Sequence, residues 1–469
     1  MISEIFRSGS DTSPAINDSA ESGVCSYAEL HGLVVECSEA MVRLPSPKLV
    51  IHLCPNSLGG IACYLGALDA RAPLLLCDPN SSAKDLLIKQ YSPTALLIPS
   101  HEATPSGFTL LGLIAGGRVA LCVNSNESAY GIGPSPELAL LLTTSGSTGS
   151  PKVVRLTLRN LKANAAAIVS YLAIGPGDTA ILSLPMHYSY GLSLINSHLL
   201  AGGCIAITRH SFMRPEFWAF FEHGKCTSFA GVPYMYETLH RLRIQPAKRA
   251  TLRTLTQAGG PLRPELVREY HKAAQAESKR LFVMYGQTEA TARISYVPPE
   301  HLAAKAGSIG IAIPGGRLTL EAVLDSEHHE LVYTGPNVML GYGECAADLA
   351  LGDVHRGRLK TGDLATMDPD GFFHIVGRLA RFAKLFGRRI QLSDLEMHLE
   401  ASYNLSAAVI EGVECLEVFL EGGSAKEEIE GKISLMHLLS VPPAAIKMRS
   451  LQSLPRTAAG KKDYKALRK

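Results

Sequence analysis

Three short apolar runs, KLVIHLC at 48–54, PLLLCD at 73–78 and ALLIP at 95–99, are spaced by segments of helical apolar periodicity. That alternation restricts the chain to an α/β fold. NSLGGIACYLGALDAR, between the first two runs, has the pattern of a crossover helix in a mostly parallel sheet. The rhythm continues: TLRNLKANAAAIVSYLA puts Leu161, Ala165, Ile168 and Leu172 on one helical face behind a Thr157 N-cap, and TAILSLP and GCIAIT follow as strands. The first twenty or so residues, rich in Ser, Asp and Gly, are expected to fray.

A chain of 469 residues exceeds what one hydrophobic core supports, so two or three packed units are expected. Composition turns basic and gains Gly377 and Gly387 near residue 376. The division is therefore placed at a hinge, 378–381, between a large domain, 1–377, and a small one, 382–469. With 45 basic against 43 acidic residues, the net charge of +2 speaks against a surface built to grip nucleic acid. Ten scattered cysteines without a CxxC pair suit a reducing cytosol, and neither an export signal nor a membrane-spanning run is expected. A cytoplasmic protein without a membrane or nucleic-acid partner is the expectation.

LLTTSGSTGSPKVVRLT, residues 141–157, sets Thr144, Ser145, Gly146, Ser147, Thr148 and Gly149 after a buried strand at Leu138–Thr143. Hydroxyls and unhindered backbone N–H groups can cradle phosphate oxygens, although any tight polar turn has the same composition. A Walker loop would end in Lys-Ser or Lys-Thr and enter a helix. Here Pro151-Lys152 leads into the β-like VVRLT, which disfavours a P-loop kinase or GTPase.

The loop has company in a telling order. TTSGSTGSPK (143–152), AGGPL (258–262) and YGQTEAT (285–291) are followed by HELVYTGPNVMLGY, KTGDLA, IVGRLARFAKLFGRRIQLSDLE and LPRTAAGKKDYKAL. Over nearly its whole length the chain thereby resembles the adenylate-forming superfamily of acyl-CoA synthetases, luciferases and peptide-synthetase adenylation domains. The resemblance implies a large domain of mixed sheets packed with helices, a small mobile α+β domain, and the cofactors ATP and Mg²⁺.

Joining a carboxylate to the α-phosphate of ATP brings two anions together, so the site must supply positive charge and a metal. The resemblance gives Thr288 to the α-phosphate and Glu289 to Mg²⁺; standing alone, the pair reads rather as a helix start with an acidic first turn. Residues 144–149 and Lys152 correspond to the phosphate loop. Tyr285, with Gly286 and Gln287, would lie against one adenine face, and Ala258, Gly259 and Gly260 against the other. Asp363 would accept both ribose hydroxyls, with Arg378 at the ribose end. Lys461 would reach into the large domain and neutralise charge as the adenylate forms, a role not expected of Lys462. The small domain would then rotate to admit a phosphopantetheine thiol; Ala380 stands where the family usually has Asp or Lys at the hinge.

LPMHYSYGLSL (184–194) corresponds to the acyl pocket, with His187, Tyr188, Ser189, Tyr190 and Gly191 as its walls. Ser189 occupies the position at which peptide-synthetase relatives pair an aspartate with the α-ammonium. A carboxylic acid without that amine, fatty, hydroxy or aryl, is the expected substrate. The sequence has no Leu-Gly-Gly-x-Ser attachment motif, so the expected acceptor is CoA or a separate acyl carrier protein. Two other readings stay open at this level: an amino-acid adenylating partner of a peptide synthetase, and a non-catalytic nucleotide-binding scaffold.

Overall fold

Each apolar run becomes a strand buried along its length, because the helical segments between runs are long enough to cross over and bring the next strand alongside in parallel. Val50–His52 lies between Leu74–Leu76 and Ala95–Pro99, parallel to both. The crossover helix Leu58–Asp69 is capped by Ser57, whose hydroxyl accepts the Gly60 N–H, and it is buried from Leu58 to Leu68. The computed structural model describes residues 10–468 apart from 22, 82, 127–132, 144–151, 325–326, 380–381, 386–387, 414, 440 and 458–459.

These strands form the middle of an eight-stranded sheet. Its order is Gly341–Gly343, Val153–Thr157, Leu138–Thr143, Leu74–Leu76, Val50–His52, Ala95–Pro99, Val119–Asn124, Phe108–Ile114. Leu138–Thr143 and Val153–Thr157 pair antiparallel as the arms of residues 144–151. Thr157 ends the second arm and caps helix Leu158–Leu172 in a reciprocal box with Asn160. Leu161, Ala165, Ile168 and Leu172 are buried, as their spacing requires.

A nine-stranded sheet runs in the order Ile311–Ala312, Ser295–Val297, Arg280–Tyr285, Thr254–Gln257, Ser228–Gly231, Thr179–Ile181, Cys204–Ile207, Pro14–Asp18, Val24–Ser26. The N-terminal stretch expected to fray thus supplies a strand. Ala15 and Ile16 are fully buried, and the segment pairs in parallel with Cys204–Ile207. Two apolar residues amid Ser and Asp suffice once a strand edge is waiting for them.

Packing divides the chain into two compact units, Met1–Arg317 with Thr334–Leu359, and Leu318–Tyr333 with Lys360–Lys469. The second carries most of a four-stranded sheet, ordered Arg317–Ala322, His329–Thr334, Arg358–Met367, Phe373–Arg378. It also holds a hairpin, Phe382–Leu385 with Arg388–Gln391, and a three-stranded sheet, Ala407–Glu411, Leu416–Glu421 and Ile446–Leu451. Helices Leu392–Tyr403 and Ala425–Leu439 close a core that includes Leu395, Leu399, Val409, Val418, Leu420 and Leu435. Composition alone drew its division at 378–381; packing groups 360–378 with the second unit, because those strands pair with one another and not with the two large sheets. Among the described residues no helix is long and apolar enough to cross a membrane.

Candidate active site

Four strands of the nine-stranded sheet, Thr179–Ile181, Ser228–Gly231, Thr254–Gln257 and Arg280–Tyr285, are parallel, so their carboxyl ends share one edge. In open α/β sheets that edge is where ligands bind. His187–Gly191, Ala258–Gly260 and Tyr285–Glu289 each follow one of these ends. Topology therefore gathers three segments that lie up to a hundred residues apart in sequence.

Thr288–Ala290 forms a single 3-10 turn, not the start of an α-helix. Gly286 is dictated by contact: a Cβ there would sit 1.8 Å from the Ala292 carbonyl oxygen. Thr291 has φ +67° and ψ −53°, and the Ala292 N–H donates to the Ala290 carbonyl, which together make a classic γ-turn, a strained conformation for a β-branched residue. Asn337 holds it. Its carbonyl accepts the Thr291 hydroxyl at 2.7 Å, and its amide donates to the Ala290 and Arg293 carbonyls at 2.8 and 3.1 Å.

The Glu289 carboxylate is half-buried and its Oε1 accepts the Tyr342 hydroxyl at 2.7 Å. Tyr342 lies on strand Gly341–Gly343, opposite Val154, and the Lys152 ammonium stacks 3.8 Å from its ring centroid. Lys152, Tyr342 and Glu289 form one line of contact between the start of the Val153–Thr157 strand and the Thr288–Glu289 turn. Burial and the adjacent Glu289 carboxylate push the Tyr342 hydroxyl well above its ordinary range, so it stays a donor. Tyr342 was not singled out from the sequence, though the Gly-Tyr closing HELVYTGPNVMLGY was its signal.

The pocket segment divides by environment. Ser189 begins helix Ser189–Leu200, and its hydroxyl lies 3.3 Å from the Thr288 hydroxyl. A Cβ on Gly191 would meet the Pro185 carbonyl at 2.2 Å. Gly259 has φ +90°, and a Cβ there would come within 2.5 Å of the Tyr188 hydroxyl, so the two segments touch at that glycine. Tyr190 is tied into the interior, its hydroxyl on Thr256 at 2.9 Å. His187 approaches Asp78 at 3.9 Å; burial holds its pKa down although the carboxylate pulls it up. Tyr285 accepts a hydrogen bond from Gln287 at 3.0 Å.

Behind this segment sits Arg293, which sequence patterns did not mark. It is 1% exposed, and its partners are neutral: the Tyr171 hydroxyl at 3.0 Å, the Met284 sulfur at 2.7 Å, the Ser193 hydroxyl at 3.1 Å and the Tyr190 ring at 4.6 Å. Taking a guanidinium out of water costs several kcal/mol, of which a desolvated cation–π contact returns about 2.

In the second unit, Asp363 faces Arg378 across the strand pair, with Arg378 Nε donating to Asp363 Oδ1 at 2.6 Å. The carboxylate is buried while the guanidinium is half exposed. The two lysines near the C-terminus have opposite environments. Lys461 is exposed on the return arm of a tight turn closed by Thr457 and by Gly460, at φ +74°. Lys462 turns inward and donates to Glu400 and the Ala407 carbonyl, both at 2.6 Å, with Glu396 at 3.9 Å.

Burial works against the Lys462 ammonium, but Glu396 and Glu400 more than offset it and its pKa rises. A raised lysine pKa stabilises the fold below the unfolded value near ~10.4 and ceases to do so as pH climbs through the folded value. Lys462→Met is expected to cost about 3 kcal/mol, since the buried Glu396 and the half-buried Glu400 would be left without their cation. Urea unfolding measured at pH 7 and again at pH 11 checks this: the gap between variant and wild type should shrink at the higher pH.

Thr144, Ser145, Gly146, Ser147, Thr148, Gly149 and the hinge residue Ala380 lie outside the described residues. A cavity of about 710 Å³ lies away from these strand ends. It lies where Leu138 begins and Thr157 ends their strands, at the end away from Thr143 and Val153, with Arg71, Arg159 and Arg356 in its wall.

The AMP-binding enzyme family matches residues 9–343 of this chain. Feruloyl-CoA synthase of Amycolatopsis sp is 30% identical over 331 residues, 66% of this chain and 65% of that protein, so the chain spans just under two thirds of that relative's length. Oxalate–CoA ligase of Arabidopsis thaliana is 26% identical over 475 residues, covering 93% of this chain and 91% of that protein. The structure of O-succinylbenzoate coenzyme A synthetase from Bacillus subtilis in complex with AMP shares the fold, with a TM-score of 0.76 at 20% identity over 100% of this chain and 97% of that one. With its strand-end site and a family match over most of its length, this chain belongs to the AMP-binding enzymes of the adenylate-forming superfamily.

Proposed function

We propose that this protein activates a carboxylic acid with ATP and passes the acyl group to a thiol. In the first step a carboxylate oxygen bonds to the α-phosphorus and pyrophosphate leaves. In the second a thiol sulfur, after losing its proton, bonds to the acyl carbon and AMP leaves. CoA is the acceptor favoured by the relatives named as CoA ligases; the phosphopantetheine of a separate carrier protein has the same thiol.

The observation that carries this reading is the Glu289 carboxylate. Tyr342 occupies Oε1, and among the described residues Oε2 accepts no hydrogen bond. A hard cation such as Mg²⁺ suits that oxygen. Among the described residues no group of three or more His, Cys, Asp or Glu could hold a metal ion. Such a composition fits Mg²⁺, which takes one or two carboxylates and fills its remaining positions with phosphate oxygens and water. When bound, the ion would draw charge from the phosphates during adenylation. The chain's own groups do the rest: the Thr288 hydroxyl donates to the α-phosphate, Lys152 adds positive charge beside Tyr342, and Asp363 accepts from the ribose with Arg378 at its side. Lys461 neutralises the charge between the two reactants, and a swing at 378–381 exchanges it for the thiol. Ala380 at that pivot leaves adenylation intact and bears on the rate of the thiol step.

Ser189 supports an acid without an α-amine, fatty, hydroxy or aryl, because a buried ammonium beside it would meet hydroxyls and no carboxylate. All ten cysteines are free thiols, in keeping with a cytoplasmic setting.

Pyrophosphate exchange over a panel of fatty, hydroxy, aryl and amino acids tests the reading. Exchange that depends on an added acid without an α-amine is expected. Exchange with amino acids alone would make this a peptide-synthetase partner, and ATP binding with no exchange at all would make it a nucleotide-binding scaffold.

A further inference from the structure

Arg293 has no task in the chemistry so far. Among the described residues it meets no carboxylate, and its Nε–H is buried without a hydrogen-bond partner. Nearby ionisable groups offer no negative charge. Burial pushes the Tyr190 hydroxyl up to about 12 and Tyr171 and Tyr188 in the same direction, while His198 is pushed down to about 4, so all four are neutral at pH 7.

The surroundings point toward the reacting phosphate. A small void of about 10 Å³ lies between helices Leu158–Leu172 and Ser189–Leu200 and the γ-turn, with Ser189, Ser193, Asn164 and Thr291 in its wall. At one end the Ser189 hydroxyl touches Thr288, the residue assigned to the α-phosphate. At the other the Ser193 hydroxyl accepts from the Arg293 guanidinium. Asn164 Oδ1 is also buried there without a donor. A neutral water in so small a void would leave the charge uncompensated.

We propose that the activated acid carries a second anionic group, carboxylate or sulfonate, close to the carboxylate that is adenylated, and that Arg293 is its counter-charge. This deepens the acid-activating reading and rests on it. Arg293 is then a specificity determinant: an anion that widens this void past Ser189 and displaces the Ser193 hydroxyl from the guanidinium gains a charge-assisted bidentate contact that a neutral tail cannot make.

Matched acids that differ only in a distal carboxylate or its primary carboxamide provide the test, read as kcat/KM for pyrophosphate release. The charged member is expected to exceed its amide by about 100-fold. In Arg293→Met that ratio should fall to within about threefold, and Arg293→Lys should restore part of it. A purely structural arginine would lower the melting temperature of the variants and leave the ratio alone. Equal rates for both members of every pair in the wild type overturn the proposal whether or not the variants fold. So does discrimination that survives in a folded Arg293→Met. Calorimetric binding of the diacid to wild type and Arg293→Met separates the two claims: arginine-dependent binding without turnover keeps the second anion and discards adenylation.

Discussion

Lys461→Ala is expected to slow adenylate formation by about 10²- to 10³-fold while ATP affinity stays within a few-fold. The two reactants are both anions, and the charge between them grows as the carboxylate oxygen closes on phosphorus. A cation that meets that charge acts on the transition state far more than on bound nucleotide. Lys461 is exposed at a glycine-flanked turn, and its neighbour Lys462 cannot take its place because Glu400 and the Ala407 carbonyl hold it in the interior. Pyrophosphate exchange measured beside equilibrium ATP binding separates the two effects. Transfer from preformed acyl adenylate to the thiol should suffer little, since that step no longer joins two anions. Unchanged exchange in Lys461→Ala would remove the lysine from the mechanism.

Glu289→Gln should be nearly as severe, about 10²-fold or more in kcat, with a raised requirement for Mg²⁺. The amide keeps the shape of the side chain and can still accept the Tyr342 hydroxyl, so the substitution isolates the negative charge. Tyr342→Phe leaves the charge and removes only the hydrogen bond that orients it; a loss of about tenfold is expected. A Mg²⁺ titration of exchange activity in the three proteins tells the roles apart. If Glu289→Gln saturates at the same Mg²⁺ concentration as the wild type, the carboxylate does not serve the metal.

Local sequence carried much of the architecture. The Thr157 cap, the apolar face of Leu158–Leu172 and the arms around residues 144–151 are recognisable because hydrogen bonds and periodicity within a few residues decide them. The N-terminal strand escaped because its two core residues, Ala15 and Ile16, earn their burial from Cys204–Ile207, far along the chain. Thr288 and Glu289 were legible as a motif, whereas the γ-turn that ends their turn depends on Asn337.

The order of motifs by itself determined the fold class, the family and the identity of the candidate nucleotide-handling residues. Tertiary structure alone decided which charges are spent and which remain: Lys462 is consumed by Glu400, the Glu289 carboxylate is oriented by Tyr342 from 53 residues away, and Arg293 is sealed behind Ser193 at a separation of 100. The physical reason is that backbone preference is set by near neighbours along the chain, while the energy of a charge is set by whatever the fold packs around it.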